Sequence, residues 1–242
     1  MTEVAGSAPL PIEQVDPDVA VEEFRSRWDR VAERIATVTD RRVGVVAVSK
    51  GHGARAVRIA LAAGVTTLGE SYAQELVAKR SELSGAADPL PATPSWHFVG
   101  RLQRNKVRTI ADAVALWHSI DSERLAGEVA RRAPGAAVLV QLDLAGLAGR
   151  GGVTLDAAPE LVQHCRGLGL AVEGLMGVGP PGDPRTARPA FTSLSLLADR
   201  LDLEQRCMGM SGDLEAAVSE GSTMVRVGTD LFGRRPEREG AA

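Results

Sequence analysis

The chain of 242 residues has only two cysteines, Cys165 and Cys207, 42 positions apart. That spacing makes neither a disulfide framework nor a zinc site, so both read as small core hydrophobes of a protein kept in a reducing compartment, and the cytoplasm is the expected location. There is no excess of basic charge. Lys and Arg number 28 against 31 Asp and Glu, a formal charge of −3, which leaves no broad cationic face for gripping nucleic acid. No apolar run approaches the ~18 residues a membrane span needs. The opening Met-Thr-Glu-Val-Ala-Gly-Ser-Ala-Pro-Leu-Pro has neither the basic nor the apolar region of a secretory signal. Neither nucleic acid nor a membrane is an expected partner. The four histidines form no His-x-His or His-x-x-x-His pair, so no metal site is predicted. Lysine is scarce as well, with only Lys50, Lys79 and Lys106.

What is present is globular, with 44% apolar and 24% charged residues, close to the average of soluble domains. Residues 1–17 and the tail 234–242 are punctuated by Pro or charge without periodicity, and both are expected to be mobile. Between them, Val21, Phe24, Trp28, Val31 and Ile35 recur at helical spacing and predict a long first helix. Eight short apolar runs follow, at 43–48, 65–68, 96–99, 114–117, 137–142, 171–176, 206–210 and 224–227. Their starts lie roughly 26 residues apart, the length of a βα unit. Helix signals fill the intervals: the stripe Phe191, Leu194, Leu197 and Leu201, N-cap candidates Asp121 and Thr154, and Gly221 at a C-terminal cap. The Pro- and Gly-rich stretches 85–95 and 177–189 read as surface loops.

Near-continuous apolar strands alternating with helices predict a parallel sheet covered on both faces, and eight of them close a single-domain (β/α)8 barrel over 18–233 with an extra N-terminal helix. The rival doubly wound sheet wants Gly-x-Gly-x-x-Gly after its first strand. Here that strand runs into Ser49-Lys50-Gly51-His52-Gly53-Ala54, which lacks the third glycine.

In such barrels chemistry sits at the C-terminal ends of strands. Lys50 stands there after the first, where partial desolvation favours the neutral amine that Schiff-base chemistry requires; its bland alternative is a snorkelling side chain. Ser211, with the backbone N–H groups of Gly228 and Thr229 opening a short helix, can cradle a phosphate after the last two strands, though ordinary turn chemistry uses the same residues. Arg226 shares a face with Met224 and Gly228 inside a strand, and a charge there needs a partner. Glu70 and Asp143 read as structural salt bridges, His97 and His118 as hydrogen-bonded core histidines, and Lys79 and Lys106 as solvated. Arg41, Arg42, Arg131 and Arg132 read as solvated charge too.

Taken in order, Ala47-Val-Ser-Lys50, Gly69-Glu-Ser-Tyr-Ala-Gln-Glu75, Trp96-His-Phe-Val-Gly100, Leu102-Gln-Arg-Asn-Lys106, His118-Ser-Ile-Asp121, Gly174-Leu-Met176, Gly209-Met-Ser211, Gly221-Ser-Thr-Met-Val-Arg-Val-Gly228 and Phe232-Gly233 resemble the pyridoxal phosphate homeostasis protein family. The resemblance spans 43–233, and its fold is similar to the barrel of bacterial alanine racemase, the type III fold of pyridoxal phosphate proteins. It implies a covalent aldimine of pyridoxal 5′-phosphate on Lys50, Arg226 at the pyridine nitrogen, and Ser211 with the Gly228 and Thr229 amides on the phosphate. It also implies a carrier that binds, buffers and passes the cofactor to apoenzymes. An arginine at the ring nitrogen keeps it unprotonated and weakens the electron sink, which disfavours strong carbanion chemistry.

The chain departs from the family at Ser71, where asparagine is usual, at His52, where a second lysine is common, and at Arg150-Gly-Gly152, where Lys-x-Gly is common. Two further readings stay open. A single-domain racemase needs a second base, yet the chain has one tyrosine, Tyr72, and about ten residues after the barrel. A Schiff-base aldolase would use Lys50 without cofactor. A monomer is expected.

Overall fold

The computed structural model describes residues 8–146 and 151–236. A 3-10 turn, Ile12–Gln14, precedes the first helix, α1 (Ala20–Ala36). Strands and helices then alternate: β1 (Gly44–Val48), α2 (Ala54–Ala62), β2 (Thr67–Glu70), α3 (Ala73–Gly85), β3 (Ser95–Phe98), α4 (Arg104–Ile110), β4 (Val114–Ile120) and α5 (Glu123–Arg132). The second half runs β5 (Ala137–Leu142), α6 (Ala158–Gly167), β6 (Ala171–Gly177), α7 (Pro184–Arg200), β7 (Gln205–Cys207), α8 (Leu214–Ser219), β8 (Met224–Val227) and α9 (Thr229–Phe232). The strands form a closed parallel barrel in sequence order. β8 returns to pair with β1, with Val46 beside Arg226. The (β/α)8 architecture read from the apolar runs is therefore the observed one.

The main core lies between strands and helices, while Leu116, Leu139, Met176 and Cys207 form a separate small cluster with Met224 packed on it. These five come from different strands around the ring, so that cluster fills the barrel interior. Val46 and Val48 face inward too, since a Cβ on Gly69 would lie 2.9 Å from each of their side chains. The two-residue period then directs Lys50 to the mouth, and from Met224 it places Arg226 inside and Gly228 at the rim.

Several boundaries differ from the apolar runs. β2 extends to Glu70 and β4 to Ile120, taking in His118 and Ser119. A barrel interior accepts polar side chains that find partners, so polarity does not mark the strand end there. β7 keeps only three residues. The stretch 177–189 is only partly loop, because α7 starts at Pro184, capped by Asp183, whose side chain accepts from Arg185 N at 2.9 Å. Pro189 lies inside that helix. Asp121 does not cap α5; Ser122 holds that position and donates its hydroxyl to Asp121 at 3.2 Å. Thr154 accepts from Ala157 N at 3.3 Å in the turn before α6. Gly221, at φ +96°, does terminate α8.

Around α1, Phe24, Val31 and Ile35 are buried, and Val21 and Trp28 pack at the core's edge. The described part of the N-terminal segment, from residue 8, is seated on the barrel. Ile12 is fully buried, and Phe24 meets Phe232 with ring centroids 5.3 Å apart. Arg27 is buried and donates to the carbonyls of Leu10 at 3.1 Å and Leu231 at 3.3 Å. Arg234 N closes the pair of ends on Pro9 O at 2.8 Å. Among the described residues no helix is long and apolar enough to cross a membrane.

Candidate functional site at the barrel mouth

Lys50 is half-buried just past β1. Burial holds its pKa below the usual lysine value, the positive charges of Arg235 and Arg226 lower it further, and Glu70 opposes them. The backbone on either side is fastened. Ser49 O accepts from Lys79 Nζ at 2.7 Å and Gly51 N donates to Glu75 at 2.8 Å. Lys79 also bonds Ser49 Oγ at 3.1 Å and forms an ion pair with Glu70. Glu70 in turn accepts from Ser71 N at 2.7 Å. Glu70 thus makes the expected structural salt bridge, but Lys79 is a correction: it is 4% exposed, not solvated. It shares the buried face of α3 with Ala73, Leu76 and Leu83, a three-to-four spacing that was visible in the sequence.

Arg226 is 5% exposed. Nη1 donates to Cys207 O at 2.9 Å and contacts Cys207 Sγ at 3.0 Å, and Nη2 donates to Gly177 O at 2.8 Å. No carboxylate among the described residues pairs with it within 4.0 Å. The partners that a buried charge needs are thus two backbone carbonyls and a thiol, and every bonded neighbour among the described residues is neutral. His97 and His118 are hydrogen-bonded in the interior as expected, Nδ1 to Nε2 at 3.0 Å, and His118 Nδ1 lies 3.3 Å from Cys207 Sγ. Both cysteines are buried.

Ser211 is half-buried after β7, and Gly228 precedes α9 with Thr229 as its exposed first residue. A Cβ on Gly228 would stand 3.2 Å from Val48 O, so this close approach favours glycine. Arg34, unremarked in the sequence, clamps the two loops that carry them. It donates to Ser211 O at 2.9 Å, Glu215 at 2.6 Å and Asp230 at 2.6 Å. The Glu215 hydrogen bond, with smaller contributions from Asp230, raises its pKa against the effect of burial. No local pattern betrays it, because its partners lie 177 residues or more away.

The other candidates sit elsewhere. His52 points away from the mouth, with Nδ1 2.9 Å from Glu13 and its ring against Phe232. Asp143 accepts from Gly146 N at 2.9 Å in a turn. Ser71, Tyr72, Arg101 and Lys106 line a cavity of about 580 Å³ along the β2–β4 rim, which Lys50 does not line. Arg150 lies outside the described residues. Among those described, no group of three His, Cys, Asp or Glu is arranged to hold a metal.

A parallel barrel with a desolvated lysine ending its first strand and an arginine in its last defines the alanine racemase type of domain. The family model for the alanine racemase N-terminal domain matches residues 19–236. Two similar proteins are named pyridoxal phosphate homeostasis protein. The one from Pseudomonas aeruginosa is 41% identical over 201 residues, covering 80% of this chain and 85% of its own. That from Deinococcus radiodurans is 38% identical over 195 residues, covering 78% and 88%. This chain belongs to the pyridoxal phosphate homeostasis protein family. Among solved structures, PipY of Synechococcus elongatus with PLP bound is similar at TM-score 0.70 and 32% identity, covering 84% of this chain and 100% of PipY. An alanine racemase of Clostridium difficile shares the fold at TM-score 0.66 and 18% identity, covering 88% of this chain and 58% of its own.

Proposed function

We propose that this protein takes up pyridoxal 5′-phosphate at Lys50, holds it covalently, and passes it on to apoenzymes, with no strong catalytic activity of its own. The observation that carries this reading is the pairing, at adjacent strands, of a half-buried lysine just past β1 with a buried β8 guanidinium that has no anion among the described residues. The cofactor is an aldehyde bearing a phosphate and a basic ring nitrogen, and the residues present fit it. It supplies an electrophilic carbonyl and, when bound at a protonated ring nitrogen, an electron sink. The family name and the PLP-bound relative support the same ligand.

The depressed pKa of Lys50 enlarges the share of neutral amine. Nζ would hold the cofactor through its aldehyde carbon, with the carbonyl oxygen lost as water. The fastened backbone at Ser49 and Gly51 fixes where the Lys50 side chain starts. Arg226, permanently charged, would face the ring nitrogen and keep it unprotonated, which supports retention over carbanion chemistry. The Ser211 hydroxyl and the amides of Gly228 and Thr229 receive the phosphate, with Arg34 holding both loops in place.

The test is the visible spectrum of the purified protein given pyridoxal 5′-phosphate, before and after borohydride, with mass analysis of the Lys50 peptide. A yellow band, bleached and fixed on Lys50 and lost in Lys50→Ala with the fold intact, is the expected result. Uptake unchanged in Lys50→Ala overturns the assignment. Chiral chromatography of single-enantiomer amino acids decides between carrier and racemase; turnover of about 1 s⁻¹ or more establishes the racemase.

A further inference from the structure

The interior contacts behind Arg226 allow a series of hydrogen bonds that runs in one direction. A guanidinium only donates, so Cys207 Sγ accepts from Nη1 at 3.0 Å. Among the described residues the hydrogen of the thiol has one acceptor within reach, His118 Nδ1 at 3.3 Å. With Nδ1 accepting, a neutral His118 carries its proton on Nε2 and donates it to His97 Nδ1 at 3.0 Å. His97 then carries its own proton on Nε2. The four side chains come from β8, β7, β4 and β3, so the series crosses the barrel between opposite walls, at a level deeper than Lys50.

Burial keeps each relay member uncharged. It lowers His118 well below the usual histidine value, helped by His97 and Arg226, lowers His97 to about 4, and raises Cys207 although Arg226 opposes this. Arg226 is thus the one charge in the series at neutral pH. Its backbone acceptors, Cys207 O and Gly177 O, take up only part of its N–H set, and Nε has no partner among the described residues. A buried guanidinium can hydrogen-bond in several ways unless its surroundings fix one.

We propose that Cys207 and His118 are positioning residues for Arg226: their one-way hydrogen bonds hold the guanidinium so that its unused N–H groups face the ligand at the barrel mouth. This rests on the reading that Arg226 meets the ring nitrogen of pyridoxal 5′-phosphate. Packing alone would make Cys207 replaceable by any residue of similar volume. Positioning demands an atom that accepts from Arg226 and donates to His118, which serine provides and alanine does not.

Two measurements test this. The first compares wild type, Cys207→Ser and Cys207→Ala loaded with pyridoxal 5′-phosphate, reading the dissociation constant and the visible band as a function of pH. Cys207→Ala is expected to bind about tenfold more weakly, as for a lost hydrogen bond to a charged group, with a displaced band. Cys207→Ser should behave like wild type. A Cys207→Ala protein with wild-type affinity and band overturns the proposal. The second is nitrogen-15 NMR of the histidines in the cofactor-free wild-type protein, which needs neither a variant nor the ligand. Protons on Nε2 of both His118 and His97 are expected; a proton on Nδ1 of His118 breaks the series and overturns it. If the wild type takes up no cofactor, the functional reading fails alone, and the tautomers still decide the relay.

Discussion

At the scale of single residues, the reactivity of Lys50 is set from outside its own strand. Arg235 stands past the last helix, in a segment with no pattern to recommend it, yet a Cβ on Gly51 would lie 2.8 Å from its Cδ. After burial, its charge is the largest influence lowering the Lys50 pKa. Arg235→Ala removes that repulsion, so the Lys50 pKa rises toward the ordinary value and less neutral amine is present at a given pH. The expected outcome is a pH profile for cofactor uptake displaced to higher pH, with the displacement shrinking at high salt because the charge is exposed and screened. Stopped-flow absorbance across pH 6–10 at two ionic strengths checks it. A profile identical to wild type means that Arg235 exerts no field on the amine.

At the scale of elements, alternation of apolar runs and helices was enough to count eight strands, because parallel strands covered on both faces read as largely apolar runs. Lys50 and Arg226 were legible for the same reason, as charges at positions where such strands have none. Arg34, Arg235 and the chain ends were not, since their roles depend on contacts between segments far apart in sequence. The closure of the ends is a case in point. Gly233 has φ +82°, and a Cβ there would collide with the carbonyl oxygens of Leu10 and Pro9. Gly233→Ala is therefore expected to cost roughly 2 kcal/mol or more and lower Tm by about 4 °C or more. Gly127, inside α5 with open space where its Cβ would go, gives the opposite sign: Gly127→Ala should stabilise by roughly 0.5–1 kcal/mol. Thermal unfolding of the two variants distinguishes a strained junction from a helix with an entropy cost; similar shifts in both would contradict the geometry.

At the scale of the whole molecule, a polar barrel interior makes stability depend on pH in a particular window. His97 titrates near 4 in the fold because burial disfavours its charged form, against about 6.5 in an unfolded chain. Between those values the unfolded state binds a proton that the folded state refuses, so stability is full above about pH 6.5 and declines as pH falls toward 4. From pH 7.5 to 5, His97 alone accounts for a loss of about 2 kcal/mol. His118 is displaced in the same direction by burial, with smaller contributions from the neighbouring His97 and Arg226, so it adds to the loss. The carboxylates with lowered pKa, Glu13 beneath His52 and Glu215 beneath Arg34, protonate only in stronger acid, below their ordinary value of 4.5. Their contribution falls after that of the imidazoles, which separates the two on the pH axis. Urea unfolding of the cofactor-free protein at half-unit steps from pH 7.5 to 5 should show the decline beginning near 6.5. A flat profile over that range would mean that the interior imidazoles accept protons without unfolding, and a neutral relay behind Arg226 could not then persist into mild acid.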